Sequence, residues 1–106
     1  MNIEDINKLI GKFREVDAQM PIGQIQVLLS VAAAGDYGIT MSDVSKKLNV
    51  GISTLSRYVS GLGKINRHHV EGLCFIDSVE DPLERRRKIL TLSLKGKAFI
   101  NTLTKE

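Results

Sequence analysis

The sequence predicts a mainly α-helical, α+β fold: a winged helix-turn-helix, with a two-stranded β wing and a helix at each end. Three observations predict it. Apolar residues recur at helical spacing along most of the chain up to residue 65. The stretch from Asp43 to Lys64 breaks at Asn49-Val50-Gly51 into two short helices joined by a tight turn. Beyond it the period changes to two, as strands require, around an Asp81-Pro82 turn signal. At 106 residues the chain is one domain by ordinary size.

The first helix covers about 2–17. Ile3, Ile6, Leu9, Ile10, Phe13 and Val16 share one face, Asn2 is placed to cap it, and Glu4 and Asp5 suit its positive end. Pro21 punctuates, and a second helix follows over 22–34. It carries Ile22, Ile25, Leu28, Leu29, Ala32 and Ala33 on one face and stops at Gly35-Asp36. Tyr37-Gly38-Ile39 is a connector with room for a single strand pairing. Thr40 caps a third helix over about 41–48, with Asp43 completing a capping box, and Val44 and Leu48 point inward.

Ser53 caps the fourth helix, about 53–65, so the helix-turn-helix occupies 41–65. Leu55, Val59 and Leu62 face the core, Tyr58 in part, and Gly61 and Gly63 weaken the helix end. Leu73–Val79 and Arg87–Leu94 form the wing, about 72–93, with Leu90, Leu92 and Leu94 on one face of the second strand. A final helix over 94–104 carries Ala98, Phe99, Thr102 and Leu103.

Composition narrows the class. Hydrophobic content of 42% and charged content of 25% fit a soluble globular protein. No apolar run is long enough to span a bilayer, and the acidic start, M-N-I-E-D-I-N-K, does not read as a secretory signal. The single cysteine, Cys74, excludes an internal disulfide and fits a cytoplasmic protein. Its neighbours Leu73 and Phe75 place it on a strand as a buried, inert thiol rather than a redox sensor. His68-His69 reads as a polar connector: adjacent residues diverge, and one thiol completes no tetrahedral metal site. Neither a cofactor nor an enzyme activity is expected, since no phosphate-cradling glycine motif and no nucleophile with a His partner occur.

Charge is divided unevenly. Residues 1–45 carry three basic and six acidic residues, a net −3, whereas 46–106 carry twelve basic and six acidic, a net +6. No acid occurs between Lys46 and Val70. Such asymmetry points to a polyanion partner for the second half.

Two motifs resemble those of the MarR family of transcription regulators. V-S-K-K-L-N-V-G-I-S-T-L-S-R-Y-V-S-G-L places Val44, Leu48, Val50, Ser53, Leu55, Ser56, Arg57, Val59 and Leu62 in the register of that family's helix-turn-helix. E-R-R-R-K-I-L-T-L-S-L-K-G resembles its wing: Glu84 stands where Asp is usual, Arg85 and Arg86 match the arginines, and Leu92-Ser93 with Gly96 match the strand end and glycine. The resemblance covers about residues 22–100. It implies a homodimeric winged-helix repressor or regulator of palindromic duplex DNA. Family members are usually longer, with extended helical dimerisation regions, and here the terminal helices are short. Whether a small-molecule effector binds is left open.

Residue roles follow from this reading. The first residues of a recognition helix point into the major groove; here they are Ser53, Thr54, Ser56 and Arg57. Arg57 can take guanine O6 and N7 bidentately or clamp a phosphate. Lys46, Lys47, Lys64 and Arg67 are phosphate neighbours. Among Arg85, Arg86 and Arg87, one arginine enters the minor groove, Arg86 by family register, and another pairs with Asp81 or Glu84. Ile3, Ile6, Ile10 and Phe13, with Phe99 and Leu103, are the candidate dimer surface. Two rival functions remain at this stage: a winged helix that grips a polymerase or another regulator, and a nonspecific architectural DNA-binding protein.

Overall fold

The structure, a computed structural model, describes residues 1–64 and 72–104. The expectations for Arg67, His68 and His69 lie outside the described residues. The chain runs α1 (Ile3–Val16), α2 (Ile22–Ala34), a 3-10 turn (Gly35–Tyr37), β1 (Ile39–Thr40), α3 (Met41–Leu48) and α4 (Ile52–Leu62). It continues through β2 (Ile76–Glu80), β3 (Lys88–Leu92) and α5 (Leu94–Thr104).

Local chemistry sets the helix starts. At α1 the Asn2 side chain accepts from the Asp5 N–H at 2.9 Å while the Asp5 carboxylate accepts from the Asn2 N–H at 3.2 Å, a reciprocal capping box. At α3 the Thr40 hydroxyl accepts the Asp43 N–H at 3.1 Å. Asn49 ends α3 in the left-handed region, at φ 53°, a conformation asparagine tolerates better than most residues. Ser45 Oγ donates to the Val50 carbonyl at 2.6 Å and fixes the turn into α4.

The fourth helix begins one residue earlier than expected and ends earlier too. Gly51 is its N-cap and makes no side-chain bond, so Ser53 lies inside the first turn and is not the cap. This frees the Ser53 hydroxyl from the capping role assigned to it.

A mixed core joins all layers. Phe13, Val27, Leu28, Val31, Val44, Leu55, Leu62, Phe75, Ile76 and Leu90 are buried together. The buried stripe of α2 is Gln24, Val27, Leu28 and Val31, not the face drawn through Ile22 and Leu29, which are 77% and 40% exposed. Two neighbouring helical faces of α2 are both apolar, so periodicity alone could not choose between them. The ring of Phe99 on α5 stacks on Phe75 at 4.9 Å between centroids and meets Phe13 edge-on at 5.2 Å. The Lys12 ammonium of α1 donates to the Thr102 carbonyl of α5.

The sheet has three antiparallel strands in the order β1-β3-β2, because β1 joins the expected hairpin. Ile39 pairs with Leu90 and Thr40 with Ile89 on one side of β3; Ile76 pairs with Leu92 and Glu80 with Lys88 on the other. Leu90 is fully buried, but Leu94 is 86% exposed, since it opens α5 instead of continuing β3.

The segment entering β2 is not strand. Its N–H groups cap the end of α4: Leu73 donates to Gly61, Cys74 to Gly63 and Phe75 to Leu62, at 2.8–3.0 Å. These bonds satisfy carbonyls that a helix end otherwise leaves open. Cys74 therefore sits half-buried in irregular backbone at φ 61°, not on a strand, and its Sγ–H contacts the Gly72 carbonyl at 3.7 Å. The helix ends between the two glycines, with Gly63 as its C-cap. A Cβ at Gly61 would come within 2.5 Å of Gln24 Nε2, which donates to the Tyr58 carbonyl at 3.2 Å. Gly61 is thus where α2 crosses α4 closely.

Candidate nucleic-acid interface

Leu55 and Leu62 anchor the inner side of α4, both fully buried. Helical geometry then turns Ser53, Arg57 and Ser60 outward, with Ile52 and Ser56 on the flank toward the wing and Thr54 on the other. Ser53, Thr54, Ser56 and Arg57 are all exposed. No ion-pair partner occurs for Arg57 among the described residues. Lys46 and Lys47 are exposed in the last turn of α3, beside the turn that leads into α4.

The wing stands next to this face. One open cleft is lined by Met41 and Ser42 of α3, Ile52 and Ser56 of α4, and Glu84, Arg86, Arg87 and Lys88 of the wing. A second cleft adjoins it between Ser56 and Ser60 of α4, with Lys64 just past the helix end, and Asp77, Val79 and Lys88 on the strands. Met41, Ser56 and Lys88 line both, so the two clefts adjoin along α4 and the wing. Exposed hydroxyls and cations on two separate elements therefore face a shared space.

The wing tip is a tightly bonded loop. Asp81 N–H donates to Arg87 O at 2.8 Å, Arg87 N–H to Glu84 O at 3.0 Å and Glu84 N–H to Asp81 O at 3.2 Å. The Asp81 carboxylate also accepts the Leu83 N–H at 2.9 Å. The Arg87 guanidinium lies 3.7 Å from Asp81 and 3.6 Å from Glu84. It is thus the arginine that braces the hairpin, held by both acids that the sequence offered. Arg85 and Arg86 are exposed and have no ion-pair partner among the described residues. Arg85, Arg86 and Arg87 lie in the loop before β3, and Arg86, Arg87 and Lys88 all line the cleft.

Of the residues named from sequence, Ser56, Lys64, Arg86 and Arg87 line the groove, and Ser53, Thr54, Arg57, Lys46, Lys47 and Arg85 are exposed outside its lining. Sequence reasoning missed Ile52, Met41 and Ser60. Nothing in the period marks Met41, which reaches the groove only through tertiary packing.

The terminal helices divide the other predicted set. Ile3, Ile6 and Ile10 are 78%, 42% and 53% exposed and form an open apolar ridge on α1. Phe13 does not belong with them. It is 1% exposed and spends its ring in the chain's own core, one helical turn past the ridge. Phe99 and Leu103 are half-buried against that core.

No protein-family model matches the sequence, and no curated protein matches it. Solved structures do. The PcaV transcriptional regulator from Streptomyces coelicolor, in complex with its natural ligand, is 26% identical, with a TM-score of 0.64 over 80% of this chain and 53% of that one. The MepR–DNA complex of S. aureus has a TM-score of 0.76 at 23% identity, covering 95% of this chain and 73% of that one. A mutant MarR from E. coli complexed with operator DNA gives 0.66 at 20% identity, covering 94% and 66%. The chain spans about half to three quarters of the length of these structures. The protein class defined here is therefore the winged helix. Within it, the chain has the fold of the MarR-family transcription regulators.

Among the described residues no helix is long and apolar enough to cross a membrane, and no group of three His, Cys, Asp or Glu side chains could hold a metal.

Proposed function

We propose that this protein is a DNA-binding transcription regulator of the MarR type. It lays α4 in the major groove of a duplex and its wing against the adjacent minor groove. One observation carries the reading: Ser56 of the recognition helix and Arg86 of the wing line one open groove, beside an exposed Ser53, Thr54 and Arg57. Hydroxyls and arginine suit base edges and phosphates, and the unpaired Arg86 suits the negative potential of a narrow minor groove. Lys46, Lys47, Lys64, Arg67 and Arg85 add phosphate contacts, while Arg87 serves chiefly to brace the loop. Two of the three structures described above are DNA complexes, which supports the same partner.

The working form we propose is a homodimer that represses by occupying its operator. The Ile3, Ile6 and Ile10 ridge supports it, because burying this apolar surface against a second copy is favourable. Two-fold symmetry would then present paired recognition helices to an inverted repeat.

Gel-shift titration at several salt concentrations tests the partner. Affinity falls linearly on a log–log plot against salt as counterions are released. Arg57→Ala weakens binding by about 1–3 kcal/mol without lowering the melting temperature. An unchanged footprint in Arg57→Ala would contradict the docking. Absence of any shift at low salt would favour a protein-binding winged helix instead.

A further inference from the structure

We propose that Ile52 is a specificity-determining residue that reads the 5-methyl group of thymine in the major groove. This rests on the DNA-binding reading above. Ile52 opens α4 and is 55% exposed. A lone exposed aliphatic residue is ordinary on a protein surface; what sets this one apart is its place. Its side chain lines the groove between α4 and the wing, together with Met41, Ser56 and Arg86. Its exposed companions in the first turn, Ser53, Thr54 and Ser56, all carry hydroxyls. They can satisfy polar base edges and phosphates, and Ile52 cannot.

The charge of the groove selects the occupant. Arg86, Arg87, Lys88 and Lys64 line it against the two acids Glu84 and Asp77, so its lining is net positive, and Arg86, Lys88 and Lys64 have no ion-pair partner among the described residues. An apolar peptide filling this space would strip water from those cations without pairing them, which is costly. A polyanion pairs them. The deep, narrow major groove of an RNA duplex does not admit a helix, whereas that of B-form DNA does. Within that groove one base alone offers an apolar group, the methyl of thymine. Ile52 and that methyl are each poorly hydrated, and contact removes both from water.

The test uses the duplexes that the full chain enriches from a random pool, with thymines exchanged one at a time for deoxyuridine. The exchange deletes the methyl and keeps every hydrogen-bonding group. At the contacted position it weakens wild-type binding about three- to five-fold, the effect of exposing one buried methyl. Ile52→Ala binds the thymine and uracil duplexes equally at that position and melts at the wild-type temperature, since the residue is half exposed. Ile52→Val keeps most of the discrimination. Should Ile52→Ala melt lower, Ile52→Ser gives the same comparison, since serine is tolerated in the first turn of a helix and carries no methyl group. The proposal is overturned if wild-type protein ignores uracil at every position, or if Ile52→Ala discriminates as strongly as wild type. Those results leave the DNA-binding reading standing. A chain that retains no duplex even at low salt overturns both.

Discussion

The backbone N–H of Phe75 donates to the carbonyl of Leu62 at 2.8 Å, which ties the last turn of the recognition helix to the residue just before β2, where the wing starts. On its other side Phe75 accepts the Ser93 N–H through its own carbonyl at 3.0 Å. Recognition helix, wing and last helix thus meet at a single residue. This junction sets the base of the wing beside the end of α4.

Glycines permit the junction. A Cβ on Gly96 would overlap the Phe75 carbonyl oxygen, and one on Gly72 would overlap the Gly63 carbonyl oxygen. Backbone cannot yield as a side-chain tip can, so Gly96→Ala and Gly72→Ala each cost about 3 kcal/mol. Thermal melts should fall by more than about 10 °C. Gly11→Ala is the contrast. Nothing stands within 4 Å of its Cβ position, in the middle of α1. That change adds helix propensity and raises stability by up to about 1 kcal/mol. Equal melts for the three variants would refute this account of the junction.

The wing arginines separate by role. Arg86→Ala leaves the melting temperature unchanged and weakens DNA binding, because the side chain has no ion-pair partner among the described residues. Asp81→Ala removes the acceptor of the Leu83 N–H and one of the two acids that hold Arg87, a mostly buried carboxylate. It lowers stability by about 1–2 kcal/mol. Arg87→Ala costs under about 1 kcal/mol, since its ion pairs are long and half exposed. Melting curves set beside binding curves distinguish the three.

Phosphate contacts have a separate signature. Lys64→Ala and Lys46→Ala should each lower the slope of log affinity against log salt by about one, and weaken binding to all sequences alike. A change in sequence preference with an unaltered slope would mean that these lysines do not face phosphates.

The α1 ridge predicts the assembly. Ile3→Lys with Ile6→Lys places charge on an exposed apolar surface and leaves the Phe13 core untouched. Sedimentation should show a dimer for wild type and a monomer for the double variant, with both folded by circular dichroism. A monomeric wild-type protein would count against the homodimer.

Much of this was legible in the sequence, and the misses have physical causes. Asn2, Thr40 and the Asn49 turn announce helix ends because capping is a local contest settled within a few residues. Leu90 and the Asp81-Pro82 turn announce the hairpin for the same reason. Ser53 has the residue type of a cap, but Gly51, which makes no side-chain bond, takes that position instead. Leu73-Cys74-Phe75 looks like strand from its composition, but the open carbonyls of α4 recruit its N–H groups first. The L-S-L-K-G stretch carried a resemblance without a reason. The structure supplies one: Ser93 Oγ accepts the Gly96 N–H at 3.0 Å as the cap of α5, and Gly96 makes room for Phe75. The groove shared by Ile52, Met41 and Arg86 could not be read in advance, since it joins residues from three elements through packing alone.

The most direct test of the central claim is selection of bound duplexes from a random pool by the full chain, followed by sequencing of what it retains. We predict an enriched inverted repeat whose half-sites lie about one helical turn apart, as paired recognition helices require. A retained pool with no enriched sequence, or no retention above background at low salt, would contradict it.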